Sequence, residues 1–70
     1  MRPLEVLQES LHKPVLVEMR GGRSVRGVLD GFDQHLNLLL SAAEEIGPGA
    51  PGPKGGLLVV RGDSVVYVSP

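Results

Sequence analysis

Residues 14–32 read PVLVEMRGGRSVRGVLDGF. Val15, Val17 and Met19 alternate with Leu16, Glu18 and Arg20, the period of two of a half-buried strand. Gly21-Gly22 follows, a dipeptide that supplies the positive φ angles of a tight hairpin. Val25, Gly27 and Leu29 then alternate with Arg26, Val28 and Asp30. Gly27 and Gly31 fall inside this second strand. Glycines in such positions weaken a strand and mark bulges or sharp bends. Two bends in one long strand predict a small, strongly curved barrel rather than a flat sheet.

Upstream, Pro3 to Leu11 reads as a short helix. Pro3 suits a first helical position, and Glu5 favours the positive end of the dipole. Leu4, Leu7 and Leu11 recur at helical spacing on one face. His12 and Lys13 lie at the negative end, and Pro14 stops the helix. A segment this short is not stable alone and must lie on something apolar. Downstream, Asp33-Gln34-His35 reads as a turn and Leu36 to Glu45 as a third strand. Gly47 to Gly56 holds five of the ten glycines and three of the six prolines, so an exposed loop is expected there. Leu57 to Val60 is a fourth strand, Arg61 to Ser64 a turn, and Val65 to Val68 a fifth strand. The expected fold is mostly β: one short helix, then five short antiparallel strands.

With 70 residues the chain is expected to be a single domain spanning 1–70. A domain of this size buries only about 60% of its unfolded surface and needs reinforcement. Without cysteine it has no disulfide or thiolate zinc site, and His12 and His35 belong to no metal-ligand cluster. Oligomerisation is the reinforcement left. A net charge of -1 argues against a general basic surface for nucleic acid or anionic membrane, though not against a local cationic site. One Phe and one Tyr cannot build a platform of several stacked aromatic rings. No apolar run approaches the roughly 18 residues of a membrane span, and the N-terminus has no apolar stretch of signal-peptide length. A cytoplasmic protein with no membrane partner is expected.

The sequence does not read as an enzyme: it has serines and histidines but no nucleophile elbow and no cysteine. The paired glycines do not match phosphate-loop spacing, and no cofactor is expected. Arg61-Gly62-Asp63 spells a cell-adhesion tripeptide, but a tight turn between two strands explains it better. Pro48 and Pro51 have polyproline spacing, but flanking glycines loosen that helix. Two polar turns remain, residues 31–37 and 60–65. Each residue in them has a structural explanation: Asp33 and Asp63 as caps of backbone N–H groups, His35 as a solvated side chain, Asn37 as a left-handed turn residue. Together they also have a chemical logic. Asn37 carries a donor and an acceptor that can read a base edge. His35 and Arg61 present flat faces on which a base can stack.

The chain resembles the Sm and Sm-like family, most closely its archaeal members. The resemblance spans nearly the whole sequence. It starts with Pro3-Leu4-x-Val6-Leu7-x-x-Ser10-Leu11 and Lys13-Pro14-Val15. The run Gly21-Gly22-Arg23-x-Val25-x-Gly27-x-Leu29-x-Gly31-Phe32-Asp33-x-x-x-Asn37 looks like the first Sm motif, and Val60-Arg61-Gly62-Asp63-Ser64-Val65-Val66 like the second. The resemblance implies a helix capping a strongly bent five-stranded barrel. It implies homo-oligomeric rings of seven copies, or of six, joined by the fourth strand of one copy and the fifth of the next. It also implies single-stranded, uridine-rich RNA as partner at the inner rim, one nucleotide per subunit. Asn37 would then bond the uracil edge, and His35 and Arg61 would sandwich the base. Asp63 would orient Asn37, Asp33 would organise the turn, and Gly62 would admit close backbone approach. Ser64 departs from the pattern, standing where many relatives carry Asn. Two other readings stay open: a structural interaction ring, and a β-barrel adaptor using the Pro-Gly loop. A second RNA site at Arg2 and His12 is also open.

Overall fold

The computed structural model describes residues 3–47 and 55–70. A helix, α1 (Pro3–Ser10), precedes β1 (Pro14–Met19), β2 (Arg23–Phe32), β3 (Leu38–Ile46), β4 (Gly56–Val60) and β5 (Val65–Ser69). The strands form one antiparallel sheet in the order β4-β3-β2-β1-β5. The chain thus steps from one sheet edge to the other between Val60 and Val65. In a flat sheet, four spacings of about 4.8 Å would hold these edges about 19 Å apart. The linker spans roughly 17 Å only if fully stretched, and its Gly62–Ser64 portion is wound into a tight helical turn. The sheet must therefore curl until its two edges approach.

The curl starts where the glycines predict it. The β2–β3 register breaks between Arg26 and Val28 and again between Leu29 and Gly31. Gly27 is buried, and a Cβ there would come within 3.0 Å of the Ser41 carbonyl oxygen and 3.2 Å of Leu40 Cβ. The missing side chain lets β3 cross close over β2. Further breaks lie between Leu40 and Ala43 on β4's side and between Glu18 and Met19 on β5's side. Gly21 and Gly22 turn the first hairpin with φ of 81° and 78°, as expected for that pair.

Alternation decides the core. Val15, Val17, Val25, Leu29, Leu38, Leu40, Ala43 and Val60 point inward, and α1 adds Leu7. Leu4 and Leu11 pack partly buried against this cluster, as the helical spacing predicts. The helix ends at Ser10, one residue early. His12 turns left-handed (φ 66°), and its N–H donates to the Leu29 carbonyl at 2.6 Å while Leu29 N donates to the Lys13 carbonyl at 3.0 Å. These bonds tie the helix exit to β2. β3 begins at Leu38 rather than Leu36, because Leu36 is itself left-handed (φ 64°). Of the expected 47–56 loop, residues 48–54 lie outside the described residues. Its far end is already paired: Gly55 N donates to the Ala43 carbonyl and Gly56 opens β4.

The outer strands carry apolar side chains into solvent. Leu57 and Val59 on β4 are 74% and 67% exposed, and Val66 and Tyr67 on β5 are 65% and 55% exposed. Leu39, opposite Val59 in the β3–β4 ladder, extends this surface. Unpaired strand edges with apolar side chains are templates for another chain. No helix among the described residues is long and apolar enough to cross a membrane.

Candidate nucleic-acid interface

The turn between β2 and β3 is organised by one carboxylate. Asp33 Oδ1 accepts the backbone N–H groups of His35 (2.9 Å) and Asn37 (3.0 Å). Asp33 Oδ2 accepts the Asn37 side-chain Nδ2 at 2.9 Å. Leu36 N donates to the Asp33 carbonyl and Asp33 N to the Asn37 carbonyl, closing the turn on itself. An Asp that gathers the N–H groups following it is the usual chemistry of such turns. The bond from the Asn37 amide is the main reason the Asp33 carboxyl titrates below its ordinary range. Partial desolvation opposes it, and the two backbone N–H groups and the nearby His35 reinforce it. The left-handed residue of the turn is Leu36, not Asn37. A leucine there is strained by about 1–2 kcal/mol. Its side chain packs against the core, which offsets that cost and anchors the turn.

The turn between β4 and β5 is closed by Ser64 N donating to the Arg61 carbonyl at 3.0 Å. Ser64 therefore closes the turn through its backbone. The Arg61 guanidinium donates to Asp63 Oδ2 at 3.1 Å, and both side chains are exposed. Such a pair adds little to stability, but it restricts where the guanidinium lies.

The two turns are 25 residues apart and meet at Gly62. Gly62 N donates to Asn37 Oδ1 at 2.7 Å. A Cβ at Gly62 would collide with the His35 carbonyl oxygen and lie 2.9 Å from its carbon. Only glycine permits this approach. The structure thus joins Asp33, Asn37 and Gly62 through hydrogen bonds, sets the Arg61–Asp63 pair beside them, and leaves the His35 side chain exposed.

One expected contact is corrected. The Asn37 amide donates to Asp33, whereas Asp63 accepts from Arg61. Asp33 is already held inside the turn by two backbone N–H groups, so its second oxygen lies ready for Nδ2. Asp63 has a cation two residues away. Sequence reasoning also missed the cleft beside the amide, about 320 Å³ in volume and lined by Phe32, Asp33, Asn37, Leu39 and Val59. The pairing of Leu39 with Val59 that builds it is a tertiary feature. At the helix exit, His12 Nδ1 lies 3.9 Å from Asp30 Oδ1, and Arg2 lies outside the described residues. Among the described residues no group of three or more His, Asp or Glu could hold a metal.

Comparison with known proteins follows this geometry. A family model for the LSM domain matches residues 5–70. An Sm-like protein of Archaeoglobus fulgidus is 56% identical over 69 residues, covering 99% of this chain and 90% of that one. One from Methanococcoides burtonii is 51% identical over 69 residues, covering 99% and 96%. Among solved structures, a heptameric archaeal Sm protein is 50% identical with a TM-score of 0.85, covering 94% of this chain and 96% of that one. The Pyrococcus abyssii Sm protein in complex with a uridine heptamer is 46% identical with a TM-score of 0.90, covering 100% and 99%.

Proposed function

Because this chain belongs to the LSM domain family, we propose that it forms a closed homo-oligomeric ring that binds single-stranded, uridine-rich RNA at its inner rim. The whole chain, 1–70, acts as one domain of that ring, of seven copies. Its role is non-catalytic, in RNA processing or ribonucleoprotein assembly in the cytoplasm.

The observation that carries this reading is the bond from Gly62 N to Asn37 Oδ1 at 2.7 Å. It unites two turns distant in sequence, and with them an amide, an exposed imidazole and an exposed guanidinium. Asn37 reads the uracil edge, and His35 and Arg61 stack on the two faces of the base. Asp33 holds Asn37, Asp63 restrains Arg61, and Gly62 permits the close approach. The ring is supported by the two open edges, which bear Leu57 and Val59 on β4 and Val66 and Tyr67 on β5. Joining β4 of one copy to β5 of the next satisfies both edges and covers these side chains. The heptameric assembly and the uridine complex of the similar archaeal proteins support the same reading.

Sedimentation combined with titration of oligouridine and oligoadenosine tests it. A ring that binds oligouridine preferentially is expected. A monomer, or a ring that binds neither, would overturn the proposal, the second result favouring a purely structural ring.

A further inference from the structure

We propose that Leu36 couples ring closure to the base site: β4 of the neighbouring copy fills the apolar groove that Leu36 lines, and so fixes the turn that presents His35 and Asn37. The proposal rests on the ring and RNA-binding reading above and concerns how its two halves are linked.

Leu36 belongs to two structures at once. In the chain it stands between His35 and Asn37, and its N–H donates to the Asp33 carbonyl at 3.1 Å, inside the turn. Its side chain lines an apolar groove of about 330 Å³, together with Val6 and Leu7 of α1, Leu38 of β3 and residues 65–68 of β5. Of the turn residues 33–37, Leu36 alone lines this groove. The groove runs along β5, which pairs with β1 on one side and has its other edge free. The groove's occupant is a second copy. The joint between β4 of one copy and β5 of the next brings to this edge a strand whose outward side chains, Leu57 and Val59, are exposed and apolar. Val66 and Tyr67, on the groove side of the joint, are exposed as well. Each face is uncovered without the other.

The backbone of Leu36 makes this joint matter for the base site. Its φ of 64° lies in the left-handed region, which a leucine keeps only where its surroundings hold it. Within one copy the half-buried side chain packs on the core from one side and faces the open groove on the other. A neighbour's β4 seated in the groove packs it from both sides, and close packing leaves no room for a relaxed alternative. His35 and Asn37 ride on the same backbone, so a firmly set turn is a property of the ring rather than of one copy. Leu36 is thus a positioning residue that acts through its two neighbours in the chain. Such coupling is reciprocal: if closure raises the affinity of each copy for a nucleotide, the nucleotide tightens the ring by the same factor.

The test uses uridine monophosphate, which is too small to bridge two copies, titrated by NMR on the His35 and Asn37 signals. Leu57→Asp, on the exposed face of β4 and outside the base turns, supplies the dissociated protomer. The wild-type ring should bind the nucleotide on the order of tenfold more tightly per copy than that protomer. Leu36→Gly takes the positive φ without strain but sends nothing into the groove. Introduced into both backgrounds, it should bring the ratio of ring to protomer affinity close to one, which a merely structural loss would not do. Equal affinity of wild-type ring and protomer overturns the coupling, and so does a ratio that Leu36→Gly leaves unchanged. If Leu57→Asp stays assembled, or either variant fails to fold, sedimentation of wild type in graded urea decides. A ring-dissociation midpoint raised by the nucleotide supports the coupling, and an unmoved midpoint overturns it. A wild-type ring that binds oligouridine but ignores the mononucleotide overturns the coupling and leaves the RNA-binding reading standing. A ring that binds neither, or a wild-type monomer, overturns that reading and the coupling with it.

Discussion

Replacing Gly62 with alanine should separate the two turns. The new Cβ would overlap the His35 carbonyl oxygen, a backbone atom with no rotamer to yield. Relieving such overpacking costs about 1–3 kcal/mol. The displaced Gly62 N–H would also lose Asn37 Oδ1, a bond worth about 1 kcal/mol net. The sum is roughly 2–4 kcal/mol, a large share of the stability of a domain this small. For 60–100 residues each kcal/mol shifts Tm by about 4–8 °C, so a fall of roughly 8–32 °C is expected. Gly31→Ala is the control, because a Cβ there meets only Leu39 Cβ at 3.9 Å, an ordinary contact. Its effect should stay within about 1 kcal/mol. Thermal unfolding followed by circular dichroism, at one protein concentration because assembly stabilises by mass action, measures both. Oligouridine affinity should fall with Gly62→Ala and not with Gly31→Ala. A Gly62→Ala protein that melts within a few degrees of wild type and binds RNA normally would refute the close-approach argument.

Val59→Asp places a charge on the exposed face of β4 and should leave the protomer folded while preventing ring closure, as sedimentation would show; an intact ring would remove β4 from the interface. Arg61→Lys keeps the charge but loses the planar guanidinium, so it should weaken oligouridine binding nearly as much as Arg61→Ala, by about 1–3 kcal/mol per base; restored wild-type affinity would make Arg61 a charge rather than a stacking face. The pH response follows from Asp33, whose carboxyl is lowered by the Asn37 amide. A depressed pKa contributes turn stability that is fully present above the ordinary carboxylate range and is lost as pH falls through the lowered folded value. Carbon NMR of the Asp33 carboxyl should show it titrating below an unfolded-peptide aspartate, and a normal midpoint would contradict the hydrogen-bonded turn.

Much of this was legible wherever the deciding interaction is local. Leu4, Leu7 and Leu11 announce the buried helix face, and Gly21-Gly22 takes the positive φ angles that its turn requires. Gly27 marks the bend because a missing Cβ is a property of the residue itself. What was not legible depends on competition between distant groups. Leu36 takes the left-handed position because its side chain is wanted by the core, although local preference favours Asn37. Asp33 and Asp63 are chemically identical in the sequence. Only the folded turns show which carboxylate has an oxygen facing Nδ2 and which is occupied by Arg61. The pairing of β5 with β1, and with it the two open edges, is likewise a long-range outcome. The polar residues of the candidate site were named beforehand, the apolar cleft wall of Leu39 and Val59 was not, and the geometry redistributed one hydrogen bond among the polar groups.

The most direct test of the central claim is a crystal structure of this chain with a short oligouridine. The account predicts a closed ring with a uracil in each occupied subunit held between His35 and Arg61, its N3–H and a carbonyl oxygen on Asn37. Oligouridine seated elsewhere on the ring, with the Asn37 edge open to solvent, would contradict it.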